Sequence, residues 1–204
     1  MHRFAPAVLA LGLLFPLAAS AEGAQGDPAK GQALSAVCAA CHGVGGNSAI
    51  AINPSLAQQH PEYVAKQLAN FKSGARANAI MAGIAAALSD EDMKHLGAYF
   101  GSQKLTPAAA RDRDLVLQGK TLYRGGDTAR GLPACAGCHS PSGAGIPAQY
   151  PRLAGQHPEY TVAQLKAFRA GERANDNAAM MRAIAAKMTD QEMAAVAEYL
   201  AGLR

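Results

Sequence analysis

The sequence predicts an all-α protein built from two tandem copies of one small helical domain, and three observations predict it. Its second half copies the first. Apolar residues in each copy recur at helical spacing, with no alternating strand pattern. Each copy also carries one Cys-x-x-Cys-His pentapeptide, Cys38 to His42 and Cys135 to His139.

From the N-terminus, residues 1–21 read as an export signal. His2 and Arg3 form a basic start, Ala5 to Ala19 is an apolar run, and Ala19-Ser20-Ala21 is a small-residue cleavage site. That run falls short of the ~20 residues that span a bilayer, and no later stretch is long enough. The mature chain is therefore expected in the periplasm without a transmembrane segment; peripheral contact with a membrane stays open. Asp27-Pro28 opens the first helix with an N-cap and a proline at the first helical position, and Lys30 to Cys38 continues it.

The pentapeptide that follows is the attachment signal for c-type haem. Cys38 and Cys41, and again Cys135 and Cys138, add to the two vinyl groups of one haem. His42 and His139 then serve as axial iron ligands. A zinc ribbon would separate its knuckles by roughly 15–20 residues, whereas 93 lie between Cys41 and Cys135. A thioredoxin-type dithiol needs a βαβ unit that is missing here, and disulfides would not require the two histidines. Pro54 and Pro151 each follow their histidine by twelve residues. Either they offer a carbonyl to its outer nitrogen or they only punctuate a loop.

Pro61 and Pro158 begin matched helices running to about Lys72 and Ala170. Gln59-His60-Pro61-Glu62-Tyr63 recurs as Gln156-His157-Pro158-Glu159-Tyr160 at an offset of 97, shared by Gln67-Leu68, Phe71 and Arg76-Ala77-Asn78. Beyond Asn175 the offset becomes 100, so the second copy holds three extra residues there; nine more precede its haem motif. Ser89-Asp90 and Thr189-Asp190 open the last helix of each copy, and Thr189 with Glu192 forms a capping box. The expected domains are 22–104 and 105–204, joined by a linker at about 101–110 that glycine and proline punctuate.

Met81 and Met181 each lie eight residues before that last helix opens and are expected as the second axial ligands. A Met/His pair raises a haem potential. Met180 is the rival to Met181 but breaks the repeat register by one. Met93, Met193 and Met188 read as core filler. His60 and His157 precede prolines away from the haem motifs, and His95, opposite Ala195, reads as a solvated helix residue. With both axial positions filled, the pattern points to carrying electrons, not to an enzyme.

The chain has no Trp and only 11 Phe and Tyr, a thin core that a buried porphyrin would supplement. Residues 22–104 carry six basic and six acidic side chains, and residues 105–204 carry twelve and nine. This weak dipole could orient the molecule toward an acidic partner. No basic run with interleaved aromatics suggests nucleic acid.

On these motifs, with Gly43 to Asn47, Leu88-Ser89-Asp90, Tyr123-Arg124-Gly125-Gly126, Gly155-Gln156-His157 and Met181-Arg182, the chain resembles the cytochrome c4 family, dihaem class I cytochromes c. The resemblance implies two cytochrome c folds related by a pseudo-twofold axis and two covalent haem c groups with facing propionates. It implies His–Met ligation, with a proline carbonyl on each histidine. It also implies electron transfer in the respiratory chain from a cytochrome bc complex toward a terminal oxidase. The alternative is the cytochrome subunit of a flavocytochrome or other periplasmic dehydrogenase. A dihaem peroxidase would need a vacant iron site, against which the matched methionines argue. The shorter stretch between Arg76 and Met81 departs from the family pattern.

Overall fold

Asp27 caps the first helix as its side chain predicts, accepting from the N–H groups of Ala29 and Lys30 at 2.8 and 3.3 Å. The computed structural model describes residues 26–204, so the expected export signal lies outside the described residues. The N-terminal half contains α1 (Pro28–Leu34), α2 (Ala36–His42), α3 (Pro61–Ser73), α4 (Ala79–Ala86) and α5 (Asp90–Ser102). The C-terminal half repeats them as α6 (Arg113–Gly125), α7 (Ala136–His139), α8 (Pro158–Ala170), α9 (Met180–Ala185) and α10 (Asp190–Gly202). Among the described residues only isolated β-bridges occur, so the fold is all-α.

Each half packs its first and third helices against its last. The first contact is made backbone to backbone. Gly31 of α1 lies over the carbonyl of His95 in α5, and Gly119 of α6 lies over that of Ala195 in α10. Each half keeps its own core. Val64, Leu68, Leu88, Met93, Leu96, Tyr99 and Phe100 form the first. Tyr123, Leu132, Leu165, Phe168, Met188, Met193, Val196, Tyr199 and Leu200 anchor the second. Met93, Met188 and Met193 are thus packed inside, as expected of unbranched filler.

Several details differ from the sequence reading. The first helix does not run unbroken to Cys38: Ser35 Oγ donates back to the Gln32 carbonyl at 2.8 Å and separates α1 from α2. His95 is buried, not solvated. Its Nδ1 accepts the Asp27 N–H at 2.8 Å, tying the start of α1 to α5. Both last helices carry a complete capping box, Ser89 with Asp92 as well as Thr189 with Glu192. Gly101 and Ser102 belong to α5, and Gly101 is small because Pro61 and the Gln59 carbonyl press on it. The connecting segment is pinned: Thr106 N–H donates to Asn47, Ala108 N–H to the Gly155 carbonyl and Arg111 N–H to Glu198.

The extra residues before the second haem motif form a closed turn. Asp127 and Leu132 exchange backbone hydrogen bonds at 2.7 and 2.8 Å, and Leu132 is driven into the core.

The halves meet through reciprocal bonds, the signature of a twofold relation. Gln156 accepts from Ser55 N–H at 3.0 Å and donates to the Ser55 carbonyl at 3.0 Å. Gln59 does the same with Arg152, at 2.9 and 3.0 Å. Ser55 and Arg152, like Gln59 and Gln156, are separated by the repeat offset. His157 adds a bond from Nε2 to the Ser48 carbonyl at 2.9 Å. It therefore belongs to the interface, a role that its position before a proline did not reveal. Replacing both Gln59 and Gln156 by Ala removes four of these bonds, each contributing about 0.5–1.5 kcal/mol. The expected result is that one calorimetric transition separates into two, one per half; a single unshifted transition would contradict it. Among the described residues no helix is long and apolar enough to cross a membrane.

Candidate haem-binding site

Both Cys-x-x-Cys-His motifs sit on short helices, α2 and α7, that end at their histidine. A residue with φ > 0 stops each: Gly43 at 74° and Ser140 at 65°. The chain then turns back and brings a proline carbonyl against the ring. His42 Nδ1 lies 2.8 Å from the Pro54 carbonyl, and His139 Nδ1 lies 3.0 Å from that of Pro151. A carbonyl only accepts, so Nδ1 must carry the proton and Nε2 keeps its lone pair. Burial lowers both histidine pKa values, although each proline contact opposes it, which favours the neutral ring that iron needs. Of the two sequence readings for Pro54 and Pro151, the geometry selects the carbonyl partner.

The eight predicted site residues line one cavity of about 1420 Å³ that extends across both halves. Cys38, Cys41, His42 and Met81 come from the first half, and Cys135, Cys138, His139 and Met181 from the second. Met180 lines it too. Met81 and Met181 each pack against the core of their own half. The Met180 sulfur instead lies 4.0 Å from Tyr150 Oη, and the Tyr150 ring meets His139 edge-on at 6.0 Å.

The lining is mostly apolar, with Lys66, Glu172 and Asp176 also on its wall, and two buried arginines lie between the halves. Leu68, Phe71 and Leu96 line the cavity in the first half, and Leu165, Phe168 and Val196 line it in the second. At the junction Arg76 and Arg173 pair as an isolated antiparallel bridge, and both are buried. Arg76 donates to Gln67, Tyr160 and Gln164 at 2.8, 3.0 and 2.7 Å. Arg173 donates to Gln164, Tyr63 and Gln67 at 2.9, 2.9 and 3.2 Å. Each guanidinium also stacks on a phenylalanine, Phe71 at 4.7 Å and Phe168 at 4.5 Å.

These partners are neutral. Among the described residues no carboxylate makes an ion pair with either arginine, and the buried Nε of Arg152 has no hydrogen-bond partner at all. Buried cations are costly unless an anion meets them. The chemistry therefore fits a large apolar group that carries carboxylates toward the junction, and haem c with its propionates is such a group. Arg76, Arg173, Gln67 and Gln164 were visible only as marks of the repeat, and Arg152 carried no signal at all. Their function needed the fold, although polar residues repeated at the same offset were the available signal.

The other uses of the cysteines fit less well. Among the described residues no three His, Cys, Asp or Glu side chains converge as a metal site, and the two motifs belong to different halves. The four thiols form no disulfide. Burial pushes the Cys135 thiol up to about 11, opposite to the lowered value of a redox thiolate.

Comparison with known proteins agrees with this geometry. The family model described as "Cytochrome c" matches residues 28–104 and again 116–204. Cytochrome c4 of Pseudomonas aeruginosa is 48% identical over 182 residues, covering 88% of this chain and 90% of that protein. The thiosulfate dehydrogenase electron acceptor of Thiomonas intermedia is 38% identical, covering 98% of this chain and 94% of its own. The crystal structure of reduced recombinant cytochrome c4 from Pseudomonas stutzeri superposes with a TM-score of 0.85 at 43% identity. It covers 88% of this chain and 100% of that one.

Proposed function

This chain belongs to the cytochrome c4 family, electron carriers with two covalent haem c groups, and we propose that it relays single electrons in the periplasm from a cytochrome bc complex toward a terminal oxidase. The observation that carries the reading is one cavity bracketed twice by the same set, a proline-held histidine, two cysteines and a core-packed methionine. On this reading residues 1–21 are the export signal, and 22–104 and 105–204 are the two haem domains.

When bound, each haem supplies a one-electron iron couple. The chain does the rest. Cys38 with Cys41, and Cys135 with Cys138, would tether the group covalently. The Pro54 and Pro151 carbonyls orient His42 and His139 so that each presents a neutral nitrogen as iron ligand. Met81 and Met181 would offer each iron a soft neutral sulfur, which favours the reduced state. The apolar lining would keep water out, and Arg76, Arg173 and Arg152 would supply positive charge to the propionates. A histidine and a methionine supplied to each group would leave its iron no open position for a substrate, and the shared cavity would allow transfer between the two.

The similarity to the Thiomonas intermedia protein supports a second reading, in which the electron donor is a periplasmic dehydrogenase. Potentiometric titration followed by visible absorption tests the carrier reading. Two haems per chain and negligible carbon monoxide binding at neutral pH are expected; rapid uptake by one haem would overturn it. Stopped-flow reduction by a bc complex and by thiosulfate dehydrogenase then separates the two donors, the faster identifying the physiological class.

A further inference from the structure

Two consecutive residues in the C-terminal methionine turn, Ala178 and Ala179, have φ of 49° and 56°. Residues with a Cβ avoid this left-handed region, and neither position is glycine. The turn is tied shut from Asp176 to Arg182. Asp176 Oδ2 accepts from the Arg182 N–H at 3.0 Å, and Oδ1 accepts from Arg182 Nε at 2.8 Å. The Asp176 side chain is only 5% exposed, which distinguishes this pair from an ordinary surface ion pair.

The N-terminal half has no such device. There Asn78 caps α4 directly, accepting from Met81 N–H at 2.9 Å, and no residue from 75 to 88 has φ > 0. The difference lies in the three-residue insertion. Asn175 matches Asn78 and Ala179 matches Ala79, so Asp176, Asn177 and Ala178 are the added residues. They bring the carboxylate and one strained residue, while Arg182 stands where the first half has Ala82.

The same turn leads into two adjacent methionines, where the first half has Ile80 and Met81. Met180 begins α9, and both sulfur side chains line the cavity. Successive helical residues point about 100° apart. Rotating the start of α9 by one residue would therefore exchange one sulfur for the other. Relaxing Ala178 and Ala179 toward right-handed values would drive such a rotation, and the Asp176–Arg182 pair opposes it.

We propose that Asp176 and Arg182 form a positioning clasp that selects Met181 over Met180 as the sulfur presented to the C-terminal haem. The proposal rests on the reading of Met181 as the axial ligand. It assigns the insertion a purpose: the clasp removes the ambiguity of the Met-Met pair.

The test uses holoprotein labelled with ¹³C at the methionine methyls. In the reduced state a ligating methyl is shifted upfield by the porphyrin ring current, so each ligand reports itself. Wild type and Met180→Leu are expected to show the same two shifted methyls. In Asp176→Asn and, as an independent variant, Arg182→Gln, the C-terminal resonance should divide into two. The added one should vanish in the Asp176→Asn/Met180→Leu double variant. Cyanide uptake by the ferric C-terminal haem should rise at least tenfold in both single variants, with the Met81 resonance unmoved. One undivided C-terminal methyl, with cyanide uptake within twofold of wild type in both, would overturn the clasp. Loss of that methyl in Met180→Leu alone would instead overturn the ligand reading beneath it.

Discussion

Gly119→Ala is expected to destabilise the C-terminal half by about 3 kcal/mol or more. A Cβ at that position would lie 1.9 Å from the Ala195 carbonyl oxygen and 2.5 Å from its carbon. Both are backbone atoms of α10, so no rotamer change can relieve the overlap, and α6 would have to move away as a body. Ordinary overpacking costs roughly 1–3 kcal/mol. A clash with main chain at a helix crossing belongs at or above the top of that range. Against a domain stability of about 5–15 kcal/mol, this is a large fraction. The control is Gly125→Ala in the same helix, where a Cβ meets nothing within 4 Å. That change should be neutral or slightly stabilising, since alanine is the better helix former. Guanidinium unfolding of the two holoproteins, followed through the second haem, makes the comparison. Equal midpoints would show that the close crossing is not what holds the half together. Gly31→Ala should repeat the result in the N-terminal half, where the corresponding distance to the His95 oxygen is 2.0 Å.

The second large effect is electronic. Met81→His should lower the reduction potential of the N-terminal haem by an amount on the order of tenths of a volt, within the ~0.8 V range over which axial ligands tune haem. Imidazole is the stronger electron donor and favours the ferric state relative to a thioether. The thioether tethers proposed at Cys38 and Cys41 are untouched, so haem content should stay at two per chain. Loss of the Met81-dependent sulfur-to-iron absorption, with the Met181 contribution retained, identifies the site. An unchanged potential would remove Met81 from the ligand set.

Much of the haem site was legible because its chemistry is local in sequence. A Cys-x-x-Cys-His helix turn places two thiols and an imidazole without help from the remainder of the chain. Spacing alone could not decide between Pro54 as hydrogen-bond partner and Pro54 as loop punctuation, because twelve intervening residues can fold in many ways. His95 was misread for the same reason. Its helical position suggested solvent, and only the docking of α1 on α5 buries it against Asp27.

Taken alone, the residue order established the duplication, the helical class and two haem c groups, and it proposed which residues tether and ligate them, since repeat register and tether spacing are one-dimensional quantities. Three-dimensional packing decided what fills the space between the copies. The reciprocal Gln59 and Gln156 bonds, the buried Arg76 and Arg173 hydrogen-bonded to neutral side chains, and the strained turn closed by Asp176 all join residues across folds of the backbone. Such contacts exist only after helices far apart in the chain have been driven together by burial of their apolar faces, and no local pattern encodes which polar groups then meet.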